Sequence, residues 1–244
     1  MKQTILILGA TSDIARAIAH RYAREGFDIL LAGRQTKPLE SDASDLNIRY
    51  GVSVKTLEFD AENYLSHENF CKDLPVLPEI VFCVFGYLGD QKAAETNWEM
   101  AHRITSVNYT GAVSVLSHLA NIMESKGSGT IVGISSVAGD RGRASNYFYG
   151  SAKAGFSSFL SGLRNRLAKK GVHVLTVKPG YVNTAMTAGM TLPGPLTSQP
   201  EAVAQAIFVA VKKKKNILYV SGVWRIIMLI IMHIPEFVFK KMSL

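Results

Sequence analysis

The chain has 244 residues, of which 48% are hydrophobic and 19% charged, and its formal net charge is +8. This apolar content allows a sizeable core and argues against intrinsic disorder, and no Pro-, Gly- or Ser-rich linker suggests a second domain. The positive charge is compatible with nucleic acid, an anionic membrane surface or a phosphate-bearing ligand, but basic residues do not alternate with aromatic ones as in nucleic-acid-binding chains. Cys71 and Cys83 are too few and too far apart for a disulfide framework or a metal site, so a reducing compartment is expected.

Strand-length apolar runs alternate along the chain with amphipathic stretches. We predict strands at 4–8, 28–32, 53–57, 79–85, 129–135, 172–178 and 217–220. We predict helices at 12–25, 62–73, 97–126, 147–170 and 199–214. Continuous apolar runs are typical of strands that are covered on both faces, and the alternation indicates right-handed βαβ units. The fold class is therefore expected to be α/β, with a single doubly wound parallel sheet of Rossmann type and helices on both faces.

The first predicted strand runs into "LGATSDIARAIAHRYAREG", where Gly9 leaves the strand and a helix begins within a few residues. Such a turn is an anion site, because free backbone N–H groups and the helix dipole point to one place. We expect cofactor contacts here from the residues of the turn, namely Gly9, Thr11, Ser12, Asp13 and Ile14. The glycine content is low, and the Asp13 carboxylate would repel a pyrophosphate unless it caps the helix or faces away.

The second predicted strand leads into "AGRQTK", which places Arg34 where the adenosine ribose of a dinucleotide would lie. An arginine at this point can pair with a 2′-phosphate, whereas an acidic residue would favour a free 2′-hydroxyl. NADP(H) is therefore favoured as the cofactor, and NAD(H) is possible. The alternative is that Arg34 is a surface residue with no ligand.

The stretch "NYFYGSAKAGF" places Tyr149 four residues before Lys153, on one face of a predicted helix. Using a tyrosine as an acid or base near neutrality requires stabilising its phenolate, and a cation one turn away can do this. Upstream, the strand "GTIVGIS" ends near Ser136, whose hydroxyl could donate to a substrate carbonyl; we choose Ser136 over Ser135. By itself the Tyr–Lys spacing also fits an ordinary helix start with a solvent-facing lysine.

Taken together, these motifs resemble the short-chain dehydrogenase/reductase family over nearly the whole chain, with "FDA", "VNYTG", "ISS" and "KPGYVNT" in the expected order. The resemblance implies that Ser136 polarises a carbonyl, Tyr149 donates the proton, and Lys153 lowers the pKa of Tyr149 and binds the nicotinamide ribose. Asn108 would hold a water in the proton relay, although it could also simply kink a long helix. The resemblance further implies cofactor contacts from Asp60, Ala61, Phe85, Gly86, Tyr149, Lys153, Pro179, Gly180, Val182 and Thr184.

Three segments, "GATSDIA", "FGYLGDQ" and "NYTGAVSVL", are similar to one branch of this family, the reductases of polyprenylphosphoryl keto-pentoses such as decaprenylphosphoryl-2-keto-ribose. That branch implies a lipid-linked keto-sugar substrate in cell-envelope polysaccharide synthesis. Two alternatives stay open: a reductase of a free hydrophobic ketone, acyl or steroid-like, and a catalytically idle nucleotide-binding scaffold. The presence of all four candidate catalytic residues argues against the scaffold.

The C-terminal segment, 223–244, is separated from the catalytic domain, 1–222, by its composition. Its unbroken apolar run extends only from Ile226 to Met232, which is too short to span a bilayer. We expect instead an interfacial helix on an anionic leaflet, at the cytoplasmic face of the inner membrane, with flanking lysines. The alternative is that this segment covers the core or a subunit interface. The loop at 186–199 is expected to be a substrate lid, and the enzyme is expected to be a homo-oligomer, a dimer or a tetramer.

Overall fold

The computed structural model describes residues 2–242. Within them the strands are β1 (Thr4–Leu8), β2 (Asp28–Gly33), β3 (Val54–Glu58), β4 (Ile80–Cys83), β5 (Gly129–Ile134), β6 (Val172–Lys178), β7 (Tyr181–Val182), β8 (Thr197–Ser198) and β9 (Ile217–Tyr219). The helices are α1 (Asp13–Ala23), α2 (Lys37–Tyr50), α3 (His67–Lys72), α4 (Gln91–Ala94), α5 (Trp98–Thr105), α6 (Ala112–Lys126), α7 (Tyr147–Leu167), α8 (Pro200–Lys212), α9 (Gly222–His233) and α10 (Glu236–Phe239).

Seven parallel strands form the central sheet in the order β3-β2-β1-β4-β5-β6-β9, and β7 pairs with β8 in a separate two-stranded ribbon. The strand order reverses direction between β1 and β4, so the loops after these two strands diverge and leave a crevice at the carboxyl edge of the sheet. The single doubly wound parallel sheet predicted from the sequence is confirmed.

The core lies on both faces of this sheet because the side chains of each strand alternate between the faces. In β1, Ile5 and Ile7 belong to the cluster that contains residues of α1, α2 and α8, whereas Leu6 and Leu8 belong to the cluster that contains residues of α6 and α7. All five residues of β1 are buried. Burial on both faces explains why the strands read as continuous apolar runs rather than as an alternating pattern.

Two of the longer helical regions differ from the predictions, and the short helix α4 was not predicted. Helix α2 was not predicted, because in "KPLESDASDLNIRY" only Leu39 and Leu46 are buried and the apolar face is correspondingly narrow. The stretch predicted at 97–126 is helical from α5 to α6 but contains a wider π-helical turn at Ser106–Gly111. This turn places Asn108 inside the molecule.

Helix α9 packs on the sheet domain through one face. Trp224 and Met228 are buried against Val137, which follows β5. Arg141 fixes the far end of this helix, with its guanidinium donating to the backbone carbonyls of Ile231, Met232 and Ile234. Within residues 2–242, no helix combines the length and the apolar character needed to cross a membrane.

Candidate active site

Two adjacent serines follow β5, and their hydroxyls face different partners. Ser135 is buried; its hydroxyl donates to the Lys153 carbonyl at 3.0 Å and lies 2.7 Å from the hydroxyl of Ser157. Ser136 begins a short 3₁₀ turn, where its hydroxyl accepts from the N–H of Ala138 at 3.1 Å. The side chain of Ser136 also forms a hydrogen bond with Tyr149. Ser136, the serine chosen from the sequence, is therefore the one whose hydroxyl reaches the tyrosine.

Tyr149 and Tyr147 lie in the first turn of α7 but have different surroundings. Tyr149 lines a cavity of about 160 Å³ together with Ser136 and Lys153. Tyr147 is 41% exposed, and its ring stacks on Phe148. The first turn of α7 approaches the Ser136 turn so closely that a Cβ on Gly150 would lie 2.9 Å from the Ala138 carbonyl oxygen. The glycine at this position allows the serine and the tyrosine to meet.

Lys153 is buried one helical turn beyond Tyr149, and its ammonium donates to the Ile134 carbonyl at 3.0 Å. Burial lowers the pKa of Lys153 to about 8, while the neighbouring Cys83 acts in the opposite direction. Burial likewise raises the pKa of Tyr149 to about 12, and the hydrogen bond from Ser136 opposes this rise. Desolvation thus has the larger effect on the pKa of Tyr149, and Ser136 opposes it. The lowering of this pKa by Lys153 stays a prediction.

Asn108 lies in the π-helical turn, and its side chain is bound to the backbone on both sides. Its amide nitrogen donates to the carbonyls of Tyr87 at 2.6 Å and Ile104 at 2.8 Å. Its amide oxygen accepts from the N–H of Tyr87 at 3.2 Å. The Asn108 side chain thus joins the wide turn to the loop after β4. Gly86 lies beside it in this loop: a Cβ on Gly86 would lie 3.0 Å from the amide oxygen of Asn108 and 3.5 Å from Nζ of Lys153.

A second cavity of about 170 Å³ adjoins the first at the carboxyl edge of the sheet, and Val84, Gly86 and Met186 line both. The predicted cofactor residues that line this second cavity are Gly9, Thr11, Ser12, Arg34, Asp60, Ala61, Phe85 and Gly86. Those that line the first are Ile14, Gly86, Tyr149, Lys153, Pro179, Gly180, Val182 and Thr184. The fold thus brings the predicted residues, apart from Asp13 and Asn108, to one continuous cleft.

The turn between β1 and α1 fits a bound pyrophosphate. Gly9 adopts a φ of +85°, and a Cβ there would lie 2.6 Å from the backbone nitrogen of Phe85, so both conformation and space require glycine. Ser12 caps α1 by accepting from the N–H of Ala15 at 3.3 Å. The N–H groups of Asp13 and Ile14, in the first turn, lack intrahelical acceptors and can bind an anion.

The Asp13 side chain is directed to a protein partner. Its carboxylate accepts a hydrogen bond from the N–H of Ala185 at 2.8 Å and lies along an open surface cleft. In the described part of the chain, Asp13 lines neither of the two adjoining cavities. The prediction that Asp13 contacts the cofactor is therefore restricted to its backbone N–H, and the expected repulsion of a pyrophosphate by its carboxylate is avoided.

The cavity-lining residues that were not predicted from the sequence include Arg143, Asn146 and Trp224. Trp224 is 4% exposed, and its indole N–H donates to the Leu196 carbonyl at 3.1 Å. Arg143 and Asn146 lie in the loop between β5 and α7. The sequence could have indicated these two residues, because both are polar and both lie between Ser136 and Tyr149 of the predicted site. Trp224 gave no such signal, because its position depends on how α9 folds back.

The protein-family model described as short chain dehydrogenase matches residues 3–192. An uncharacterized oxidoreductase of Mycobacterium tuberculosis is 38% identical over 243 residues, which cover 98% of this chain and 96% of that protein. Among solved structures, a short-chain dehydrogenase from Sphingobium yanoikuyae in complex with NADPH superposes with a TM-score of 0.82 at 24% identity, over 96% of this chain and 97% of that one. A putative NAD(P)-dependent gluconate 5-dehydrogenase from Beutenbergia cavernae with bound NADP gives a TM-score of 0.83 at 26% identity, over 92% and 97%.

The chain belongs to the short-chain dehydrogenase family. It is an oxidoreductase of that family, and NAD(P) is its cofactor. The alternative of a catalytically idle nucleotide-binding scaffold is therefore set aside.

Proposed function

We propose that this enzyme uses NADPH to reduce the keto group of a sugar carried on a polyprenyl phosphate, at the cytoplasmic face of a membrane, in cell-envelope polysaccharide synthesis. We propose further that the active form is a homo-oligomer, a dimer or a tetramer. Light scattering coupled to size-exclusion chromatography tests the assembly, and a monomer at assay concentrations would refute it.

The proposed chemistry converts C=O into CH–OH. When bound, the reduced nicotinamide supplies a hydride to the carbonyl carbon. Tyr149 gives its phenolic proton to the carbonyl oxygen, and Ser136 donates a hydrogen bond to that oxygen as negative charge develops on it. The contact between Ser136 and Tyr149 supports this assignment, because one carbonyl oxygen can reach both hydroxyls.

Lys153 has two proposed tasks: to bind the nicotinamide ribose and to favour the transient phenolate of Tyr149. Its buried ammonium makes one hydrogen bond to the Ile134 carbonyl, and an ammonium has three donors. Asn108 is proposed to support the proton relay by holding the wide helical turn and a water beside it. The hydrogen bonds between its side chain and the backbone of Tyr87 and Ile104 support a positioning role for this residue.

The residues at the end of the cleft where the adenosine would lie are the basis for proposing a preference for NADP(H) over NAD(H). Arg34 and Asp60 line the same cavity, with the N-terminus of α1 beside them. A guanidinium can bind a 2′-phosphate through two parallel hydrogen bonds. Asp60 is held by its own turn, where its carboxylate accepts from the N–H of Glu62 at 3.0 Å, and it is proposed to contact the adenine.

The position of α9 is the observation that supports a lipid-linked substrate. The cavity of about 160 Å³ that contains Ser136, Tyr149 and Lys153 is the proposed catalytic cavity. One face of α9 places Trp224 in the wall of this cavity, while the opposite face exposes Ile226, Leu229 and Ile230. The reacting carbonyl would thus be separated from an apolar outer surface by the thickness of one helix. The lysines at 240 and 241 follow this surface and suit anionic headgroups.

A second candidate, reduction of a free hydrophobic ketone, is favoured by the cavity walls. Leu88, Val137, Met186 and Met190 line the catalytic cavity beside Trp224. These side chains suit an apolar substrate as well as the first isoprene units of a lipid carrier. The two candidates differ in whether the substrate needs a lipid-phosphate group.

The experiment is NADPH oxidation at 340 nm by the purified full chain with a polyprenylphosphoryl keto-pentose in mild detergent. The comparison substrates are the free keto-pentose and a neutral bulky ketone. Turnover confined to the lipid-linked sugar is the expected result. Turnover of the neutral ketone alone would favour the second candidate, and a Tyr149→Phe variant serves as the control for background oxidation.

A further inference from the structure

We infer that Arg143 is the residue that recognises an anionic group on the substrate, beside the carbonyl, with Asn146 accepting from a neighbouring substrate hydroxyl. This inference rests on the proposed reductase function and specifies the substrate class of the same cavity: a hydroxylated ketone that carries a phosphate or a carboxylate.

Arg143 lines the catalytic cavity, yet the protein provides it with a poor partner. Its terminal nitrogen Nη2 donates to the thioether sulfur of Met228 at 3.3 Å. Sulfur of this kind is a weak acceptor, and a partly buried cation such as Arg143 loses part of its hydration without gaining an anionic partner. Its Nε is buried and has no hydrogen-bond partner among residues 2–242.

The carboxylate nearest in sequence is already engaged elsewhere. Asp140 forms an ion pair with Lys178 and accepts from the hydroxyl of Tyr219 at 2.8 Å. Arg141, two residues before Arg143, is by contrast well paired, with three carbonyls of the α9 end and the carboxylate of Glu236. Within the described residues, no carboxylate forms an ion pair with Arg143, so its donors remain for a ligand.

Asn146 lines the same cavity and has a buried acceptor without a donor among the described residues. It occupies the N-cap of α7, where asparagine commonly caps through its side chain, but its side chain makes no capping hydrogen bond. Its Oδ1 is buried, and none of the described residues provides it with a donor. Arg143, with an unpaired donor, and Asn146, with an unpaired acceptor, therefore line one cavity together with Tyr149.

A ligand with an anion and a hydroxyl satisfies both residues together. The planar guanidinium matches the oxygens of phosphate or carboxylate, and the amide oxygen accepts from an alcohol. Because one cavity of about 160 Å³ is lined by Arg143, Asn146 and Tyr149, the anion and the carbonyl belong to the same end of the substrate. A purely apolar ketone would leave the guanidinium unpaired.

The test compares cyclic ketones of one ring size: cyclohexanone, 4-oxocyclohexanecarboxylate and 4-oxocyclohexyl phosphate, each with NADPH and the full chain. We expect kcat/KM to be higher for an anionic ketone, and the larger of the two anionic values identifies phosphate or carboxylate as the group. In Arg143→Met the ratio of anionic to neutral kcat/KM should fall about 10- to 150-fold, the range for a hydrogen bond to a charged group. Arg143→Lys should retain part of the ratio.

Arg141→Met is the matched control, since Arg141 binds the end of α9 and does not line the cavity in the described chain. It should lower the melting temperature and retain the wild-type ratio. A wild-type enzyme without preference for the anionic ketones, or a ratio unchanged in Arg143→Met, would overturn the inference.

If the enzyme reduced none of these ketones, that result would count against the proposed function. A binding measurement would then test the role of Arg143 separately. Trp224 lines the cavity, so its fluorescence can report ligand binding there. The exposed Trp98 is replaced by phenylalanine, so that Trp224 is the source of the tryptophan fluorescence. With saturating NADP⁺, geranyl phosphate should quench or shift the fluorescence at lower concentration than geraniol does. Loss of this difference in Arg143→Met supports the inference, and equal binding of both probes by the parent protein overturns it.

Discussion

The indole ring of Trp224 lies directly against Gly180: a Cβ on Gly180 would be 2.0 Å from the indole atoms Cε2 and Nε1. The hydrogen bond from the indole N–H to the Leu196 carbonyl holds the ring there. The Pro179–Gly180 turn after β6 and the C-terminal helix α9 are therefore in direct contact at the wall of the catalytic cavity.

Replacing Gly180 by alanine should destabilise the protein by about 1–3 kcal/mol, because the added methyl group overlaps the indole ring and forces it to move. The displaced ring should also lower kcat/KM. Gly162→Ala is the matched control: Gly162 lies in α7, and a Cβ there would meet no atom of the described residues within 4 Å. This control should be neutral or stabilising by about 0.5–1 kcal/mol in thermal unfolding. Recovery of the melting temperature in Gly180→Ala/Trp224→Leu would show that the overlap with Trp224 is the cause.

Tyr149→Phe should reduce kcat by at least about 100-fold, since general acid catalysis commonly contributes 10²–10⁴. Tyr147→Phe should stay within about twofold of the parent, because Tyr147 is largely exposed and packs on Phe148. Stopped-flow NADPH oxidation at saturating cofactor measures both. Comparable losses in the two variants would contradict the assignment of Tyr149 as the proton donor.

Lys153→Met should abolish turnover and yet stabilise the fold. Burial lowers the pKa of Lys153 from an ordinary 10.5 to about 8, which corresponds to a cost of about 3 kcal/mol when the lysine is charged. Between pH 8 and pH 10.5 the unfolded chain binds more protons at this lysine than the folded chain, so its contribution to the free energy of unfolding increases with pH in that window. Denaturant titrations at pH 7, 8, 9 and 10 should show a gain at pH 7 that shrinks towards pH 10. A variant less stable than the parent at pH 7 would contradict the cost assigned to the buried charge.

Arg34→Glu should change the preference between the two cofactors. The carboxylate would repel a 2′-phosphate and accept from a free 2′-hydroxyl, so kcat/KM for NADPH should fall about 10-fold or more while that for NADH is retained or rises. Arg103→Glu, at the edge of the same cavity, is the comparison for a general loss of positive charge. An unchanged ratio of the two cofactors in Arg34→Glu would refute the proposed contact with the 2′-phosphate.

Ile226→Ser/Ile230→Ser should weaken binding to vesicles that contain anionic lipid. Both side chains are 61% exposed on the outer face of α9, so the change removes apolar area from the proposed membrane surface without affecting the buried Trp224. Ile48→Ser/Leu65→Ser removes two exposed apolar side chains elsewhere on the molecule and serves as the control. Co-sedimentation with vesicles of phosphatidylcholine alone and with added phosphatidylglycerol is the measurement. Equal sedimentation of parent and variant would contradict the membrane proposal.

Most of the sheet could be predicted from the sequence because its strands are buried on both faces and therefore read as short apolar runs. Helix α2 could not, since it covers the sheet with little more than Leu39 and Leu46 and the rest of its surface is polar. The wide turn at Ser106–Gly111 is also invisible in the pattern, because one extra residue in a turn leaves the apolar spacing nearly unchanged.

The proposed catalytic residues were predictable because Ser136, Tyr149 and Lys153 lie within one strand–loop–helix unit, where spacing in sequence translates into distance. Trp224 was not, since its place depends on how α9 packs against Val137. The raised pKa of Tyr149 could not be foreseen from the sequence for a similar reason. The sequence shows the nearby lysine, whereas the desolvation that raises this pKa arises only from packing.

The hydrogen bond from Ala185 to Asp13 links the start of the helix beside the predicted pyrophosphate site to the beginning of the loop that carries Met186. We expect ligand binding at one end of this link to restrain the other, so that occupancy of the nucleotide turn and closure of this loop over the substrate would be coupled steps. Steady-state kinetics should then follow a compulsory order, with the nucleotide entering first and leaving last. In Asp13→Ala the order should relax towards random addition, visible as a change in the product-inhibition pattern of NADP⁺ and the alcohol.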